Sequence, residues 1–274
     1  MTLATQSVLG DEPEVARTID LDTSSNPHLD SVTVTLYADG RKNVRMSGTA
    51  PAEATEISGY SVRLLGLSNA QGEYTPSQAS ARVQAVPASE VISSNDSGGT
   101  VNGENSGSGS DGTSSDSDFG TASHGGNDGQ SDYEGGIWVR SEDSVDLDLA
   151  YTEGWIDWTT SGGEVDYVDW KWHAVPCDTG CSTWYIEDAG HNYSDFAGDT
   201  VEVKFHGDFY NYDFPSDGGR TEAHHRLWTT GNPDGSMDWT TDHWHSGEHA
   251  WSLRTDAGWF DKYDEHANHC AQGC

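Results

Sequence analysis

The sequence predicts an all-β protein: a small N-terminal β domain, a disordered Ser/Gly/Asp linker and a C-terminal antiparallel β-sandwich or jelly roll. Three observations lead to this prediction. Apolar and polar residues alternate with a period of two in many short segments, clusters of Gly, Asp, Asn and Pro separate those segments, and none keeps a 3.6-residue apolar period over three turns. Such alternation is typical of strands with one buried face.

Residues 1–87 form the predicted N-terminal domain, which we expect to attach the protein to a partner. Residues 32–37 alternate as a strand does, a turn follows at Asp39-Gly40, and the chain returns through Val44. This order predicts a β-hairpin. The whole segment has no Trp and no Cys.

Residues 88–135 are rich in Ser, Gly, Asn and Asp and contain no Lys or Arg. Phe119 and Tyr133 are the aromatic residues here. Such a segment buries too little apolar surface to offset the entropy lost on ordering. We therefore predict a flexible acidic linker between the two domains.

Residues 136–274 hold all 11 Trp, all 4 Cys and most of the 12 His, with 27 acidic against 7 basic residues. Strand-like alternation is clear in residues 145–149, 165–172 and 201–206. Short strands with frequent turns over this length predict the sandwich. The concentration of aromatic, Cys and His residues indicates that the function resides in this segment.

The charge of the chain indicates adaptation to salt. Asp and Glu number 46 against 13 Lys and Arg, giving a formal net charge of -33. In molar salt the Debye length falls to roughly 3 Å, so self-repulsion is screened while carboxylates hold water and solvent cations. This composition predicts a protein of a haloarchaeal system. Clustered Lys and Arg are absent from the sequence, which argues against nucleic acid as a partner.

No stretch of the sequence approaches the roughly 18 apolar residues of a membrane span, so we expect a soluble protein without membrane insertion. The first residues carry no basic residue and no apolar core, so no signal peptide is predicted. Because other features favour an extracellular location, we expect a start further upstream, removal of a leader, or export by assembly into a virion.

The four cysteines form two C-x3-C pairs, Cys177 with Cys181 and Cys270 with Cys274. Disulfides between the pairs would close loops of roughly 90 residues, worth about 4 kcal/mol in the loop-entropy model. Disulfides within each pair and a four-cysteine zinc site are the alternatives. Either disulfide arrangement requires an oxidising compartment.

Aromatic residues beside short polar residues suggest a ligand-binding surface. Rings of Trp and Tyr stack on the apolar faces of sugars while a polar rim accepts hydrogen bonds from their hydroxyls. The alternative is that these rings fill the core. The candidates are Trp170, Trp172, Trp184, Tyr185, Tyr210 and Tyr212.

Histidines provide a second candidate site. His243 and His245 are two residues apart and therefore share one face of a predicted strand, with His249 nearby. This arrangement predicts a metal site. The alternative is that neutral His serves as a polar residue in a chain that avoids Lys.

Residues 164–169 read Glu-Val-Asp-Tyr-Val-Asp. The pattern resembles the E-x-D-x-x-E strand of jelly-roll glycoside hydrolases of the laminarinase and agarase type, with Asp in place of the last Glu. The resemblance covers six residues and implies Glu164 as nucleophile and Asp169 as acid/base. The alternative is a solvated acidic strand face.

Together these features predict a haloadapted extracellular or virion-surface protein that recognises a glycan or a cell-surface protein and is not an enzyme. The first alternative is a secreted glycoside hydrolase or metal-dependent hydrolase of the same fold. The second is a secreted toxin-like effector stabilised by disulfides.

Overall fold

A computed structural model describes residues 13–26, 28–49, 57–68, 73–87, 120–123, 131–144, 147–176, 184–196, 199–212, 219–247 and 249–260. Within these ranges the chain forms fourteen strands and two short 3₁₀ helices, Pro76–Gln78 and Ala250–Ser252, and no α-helix. The strands are β1 (Val15–Leu21), β2 (Leu29–Tyr37), β3 (Lys42–Thr49), β4 (Ile57–Leu65), β5 (Ser80–Pro87), β6 (Gly120–Ser123), β7 (Ser131–Glu142), β8 (Asp148–Ser161), β9 (Glu164–Pro176), β10 (Tyr185–Phe196), β11 (Val201–Asn211), β12 (Thr221–Gly231), β13 (Ser236–Gly247) and β14 (Arg254–Phe260).

The strands form two antiparallel sheets of seven strands each. Sheet A has the order β1-β2-β3-β13-β12-β11-β10, and sheet B has the order β5-β4-β14-β7-β8-β9-β6. Every second residue of β12 is buried, and this strand packs across the interior against β7 and β8. The predicted all-β class with an antiparallel sandwich is therefore confirmed.

Strands from both ends of the sequence share both sheets. β3 pairs with β13 from Lys42 opposite His243 to Thr49 opposite Ser236. In sheet B, β4 pairs with β14, where Tyr60 lies opposite Trp259. The segments 1–87 and 136–274, predicted as two β domains, thus contribute strands to the same sandwich in this structure. Proteolysis, discussed below, tests whether they also separate as folding units.

Part of the predicted linker forms strands. β6 pairs with β9, and β7 begins at Ser131 and pairs with β8 from its first residue. Tyr133 stacks on Trp158 with ring centroids 5.4 Å apart. These residues lie within the predicted linker but pair as strands, because ladder hydrogen bonds form between backbones and need little apolar sequence. The linker as a whole stays a prediction. Residues 88–119 and 124–130 lie outside the described residues.

Aromatic rings dominate the interior. Trp158, Trp239 and Trp259 are fully buried, and the rings of Trp239 and Trp259 stack with centroids 4.8 Å apart. Trp239 comes from sheet A and Trp259 from sheet B. Aromatic contact across the interior thus joins the two sheets.

The predicted cysteine arrangements concern Cys177, Cys181, Cys270 and Cys274, which all lie outside the described residues. Their pairing stays a prediction. Among the residues that are described, no helix is long and apolar enough to cross a membrane.

Candidate ligand-binding face

The outer face of sheet A carries a continuous set of aromatic and charged side chains. Residues directly opposite one another in antiparallel strands share a face. One row across the sheet consists of Tyr185, Tyr210, Glu222 and Ser246. The next row consists of Asp188, Asp208, His224 and Trp244. These side chains point away from the core because the alternate residues of β11 and β12 are buried.

Three of the predicted aromatic residues meet on this face, and we call Tyr185, Tyr210 and Tyr212 the tyrosine patch. Tyr185 stacks on Tyr210 with centroids 5.4 Å apart and ring planes 25° apart. Tyr212 meets Tyr210 edge-on at 5.4 Å. Tyr185 and Tyr212 are 48% and 50% exposed. The patch therefore offers flat ring surface to a ligand.

Arg220 orders the tyrosine patch. Its guanidinium lies 4.7 Å from the ring centroid of Tyr210 and 5.9 Å from that of Tyr212. It also forms ion pairs with Glu187 and Glu222. The hydrogen bond with Glu187 raises the pKa of Arg220, so it stays charged. A cation above the rings and bonded to two carboxylates limits their movement.

A hydrogen-bonded network centred on His224 borders the patch. Its Nδ1 donates to Asp208 Oδ1 at 2.8 Å, and its Nε2 lies 3.3 Å from both Glu222 Oε2 and Ser246 Oγ. Arg226 donates two further bonds to Asp208, at 2.8 and 2.9 Å. Burial favours a higher pKa for Asp208, but the bonds from His224 and Arg226 outweigh it and lower the pKa to about 2.

The Ser246 hydroxyl donates to Glu222, and this bond is the main cause of the lowered pKa of Glu222. Asp208, His224 and Ser246 follow the order of a nucleophile triad, yet a nucleophilic serine needs its hydroxyl proton directed at the histidine. Here the Ser246 hydroxyl directs its proton at the carboxylate of Glu222 instead. The charge of Asp208 is balanced by Arg226. The network is thus suited to accepting and donating hydrogen bonds at the rim of a binding face.

Sequence reasoning missed Trp244 as a site residue. Its ring stacks on His224 with centroids 4.7 Å apart, and the guanidiniums of Arg226 and Arg41 lie 5.3 and 5.6 Å from its centroid. Trp244 lies between His243 and His245, so strand alternation places it on the opposite face from them. The alternation of β13 in the sequence was therefore the signal that could have identified Trp244 as a surface residue.

The predicted tryptophans do not belong to this face. Trp170, Trp172 and Trp184 are buried, with exposed fractions of 7%, 6% and 2%. Trp170 and Trp172 do share a face of β9, as predicted, but it is the face that also contains Val168 and lines the core. These three rings are therefore not on the outer surface, because alternation shows which residues share a face without showing which face is buried. Their role in ligand binding stays a prediction.

The predicted metal-binding histidines also point inward or lie outside the sheet. His243 and His245 share the inner face of β13, and burial lowers the pKa of both well below 6.5. His249 directly precedes the 3₁₀ helix Ala250–Ser252. Among the described residues, no group of three or more His, Cys, Asp or Glu is arranged to hold a metal ion.

The acidic strand at the start of β9 contains a bulge. Its register with β8 shifts between Tyr167 and Val165, so Asp166 is the extra residue. Glu164 is exposed, and Asp169 lies opposite Asp157 and accepts a hydrogen bond from the Trp170 backbone at 2.9 Å. The structure thus has the bulge that could bring these carboxylates onto one face.

Comparison with protein-family models, with curated proteins and with solved structures finds no match for this chain. A functional assignment therefore depends on the geometry of the outer face of sheet A.

Proposed function

We propose that the protein recognises a surface glycan through the outer face of sheet A and does not act as an enzyme there. The observation that supports this is the exposed stack of Tyr185 on Tyr210 beside the network of Glu222, His224 and Ser246. A sugar ring has apolar faces that stack on aromatic rings and a rim of hydroxyls that bond to carboxylate, imidazole and hydroxyl groups.

The charge of the face favours a neutral or amino sugar over an acidic one. Arg220 is bonded to Glu187 and Glu222, and Arg226 is bonded to Asp208. These pairs leave little positive charge to attract a carboxylate or sulfate, whereas a neutral hydroxyl or an ammonium fits the carboxylates.

We further propose that this recognition takes place outside the cell or on a virion, in high salt. The net charge of -33 supports this, because such a chain needs screening by concentrated cations. A cell-surface protein is the alternative partner to a glycan on the same face.

A jelly-roll glycoside hydrolase is the second candidate function. The observation in its favour is the acidic start of β9, where a bulge at Asp166 separates exposed Glu164 from Asp169. An enzyme of this type would lose turnover in Glu164→Gln while still binding its substrate. Absence of any sugar release by the wild-type protein would exclude this candidate.

Glycan binding is tested by measuring affinity for a panel of immobilised neutral and amino-sugar glycans in about 3 M KCl, where a surface of this charge is screened. We expect Tyr185→Ala and Tyr210→Ala each to weaken binding by about tenfold, the loss of roughly 1.4 kcal/mol of ring stacking. Tyr185→Phe keeps the ring and is expected to bind nearly as wild type.

Tyr167→Ala is the matched control, because Tyr167 is a partly exposed tyrosine on the other sheet. Its affinity should equal that of the wild type. Unchanged affinity in both Tyr185→Ala and Tyr210→Ala would refute the proposal. Trp172→Ala is not a suitable probe, because removal of a core ring costs roughly 3–5 kcal/mol of stability.

A further inference from the structure

Lys42 lies in the interior between the two sheets. Only 4% of it is exposed, although Lys is almost never buried without a partner. On β3 it lies opposite Leu36 of β2, which is fully buried, and opposite His243 of β13. Lys42 and His243 therefore share the inner face of sheet A, in one row with His225 of β12.

No ion pair of Lys42 with a carboxylate is formed among the described residues. The buried carboxylates of Glu142 and Asp256 are bonded to Arg140 and Arg63 instead. Arg140 and Glu142 flank the inward-facing Ser141 and thus lie on the opposite face of sheet B. The carboxylates of Glu142 and Asp256 therefore do not balance the positive charge of Lys42.

Several buried polar atoms on the same inner face as Lys42 form no hydrogen bond with the described residues. Both ring nitrogens of His243 and the Nδ1 of His245 are buried without a hydrogen-bond partner among the described residues. The hydroxyl of Thr241, two residues before His243 on the same inner face, also forms no hydrogen bond within the part of the chain that the structure describes. Buried polar groups left unbonded cost roughly 1–3 kcal/mol each, so a ligand that bonds to these groups would stabilise the fold.

We propose that Lys42, His243 and Thr241 bind a small monovalent anion, chloride, in the interior of the sandwich. An ammonium, an imidazole N–H and a hydroxyl can each donate a hydrogen bond to an anion, and the three residues lie in neighbouring rows on the inner face of sheet A. A bound chloride would neutralise the buried ammonium and accept hydrogen bonds from the orphaned donors.

The protonation of these groups is consistent with that role. Burial lowers the pKa of Lys42 to about 8, so the ammonium still carries most of its charge at neutral pH. His243 is neutral and keeps one N–H to donate. The proposed salt-rich surroundings would supply chloride at molar concentration, so even weak binding would keep the site filled.

The first experiment measures thermal unfolding in KCl and in potassium gluconate of equal ionic strength, because gluconate is a much larger anion than chloride. At constant ionic strength, we expect the Tm to rise by roughly 3–5 °C for each tenfold increase in chloride above its dissociation constant. The chloride response should be lost in Lys42→Met and kept in Lys204→Met, where Lys204 is a surface lysine paired with Glu202. Comparing the two variants removes the general effect of gluconate on protein stability.

The second experiment needs no variant and therefore holds if Lys42→Met fails to fold. Crystals of the wild-type protein grown in bromide should show an anomalous peak between Lys42 and His243. A missing peak, an equal Tm for the wild type in chloride and gluconate, or a chloride response that survives in Lys42→Met would each overturn the proposal.

Discussion

Gly154 of β8 lies directly against the ring of Phe205 of β11, so this contact sets how closely the two sheets approach. A Cβ atom at position 154 would overlap the Cδ2 and Cε2 atoms of that ring. Phe205 is buried in the core, where close packing leaves its ring little room to move. The absence of a side chain at 154 is therefore a packing requirement.

We expect Gly154→Ala to lower the free energy of unfolding by about 1–3 kcal/mol, the usual cost of overpacking a core. Urea unfolding at constant high salt measures it. Gly190→Ala is the control, because the nearest atom to its added Cβ is a side-chain atom of His206 at 3.3 Å, well beyond the overlap found at Gly154. If Gly154→Ala and Gly190→Ala were equally stable, the close approach of the sheets would be refuted. Gly154→Ala combined with Phe205→Leu should recover part of the loss.

Three buried histidines are expected to make the protein sensitive to acid. Burial lowers the pKa of His225 to about 3 and those of His243 and His245 well below 6.5. The same rings titrate near 6.5 in the unfolded chain, which therefore binds more protons below that pH. Their contribution to stability is complete above pH 6.5 and is lost as the pH falls, at about 1.4 kcal/mol per pH unit for each ring.

Glu142 has the opposite effect on the pH dependence of stability. Burial raises its pKa to about 7 despite the neighbouring Arg140, so between about pH 4.5 and 7 the folded state binds more protons at this site. We therefore expect the free energy of unfolding, measured with urea at constant salt, to fall as the pH falls from about 6 to 4.5, because three histidines outweigh one carboxyl group. His225→Gln should reduce the number of protons taken up on unfolding in this pH range by about one. A stability that does not change over this range would contradict the burial of these rings.

The sequence predicted the strands better than it predicted their arrangement. Alternation located β9 and β11, and the Asp39-Gly40 turn closes the β2-β3 hairpin with Gly40 at a φ of 91°. Such local signals depend on neighbours in sequence. The pairing of β3 with β13 joins residues about 190 to 200 positions apart and leaves no local pattern.

Because local signals do not show long-range packing, the sequence also could not tell which predicted aromatic residues lie on the surface. The exposed Tyr185 and the buried Trp172 occupy equally alternating strands, and both have neighbours of mixed polarity. Which face is covered depends on the other sheet, as the contacts of β9 with the interior show. Local composition therefore suggested aromatic binding residues but could not separate the surface rings from the core rings.

Salt is expected to be necessary for the fold. The formal charge of -33 on 274 residues repels itself when screening falls. We predict loss of the near-UV circular dichroism below roughly 0.5 M salt. The loss should occur in both KCl and potassium gluconate, which distinguishes it from the specific effect of chloride at Lys42. An unchanged cooperative melting curve at roughly 50 mM salt, where the Debye length exceeds about 10 Å, would disprove adaptation to salt.

Limited proteolysis tests how the two ends of the sequence associate. We expect the first cuts within residues 88–119, because that part of the chain is Ser/Gly/Asp-rich and has few apolar residues. Because β3 pairs with β13 and β4 with β14, the two fragments should stay together after cutting. They should elute as one species in size-exclusion chromatography at high salt and separate only under denaturing electrophoresis. Release of a folded piece that begins near residue 131 would instead show that the C-terminal segment folds alone and that the shared sheets are not required for its stability.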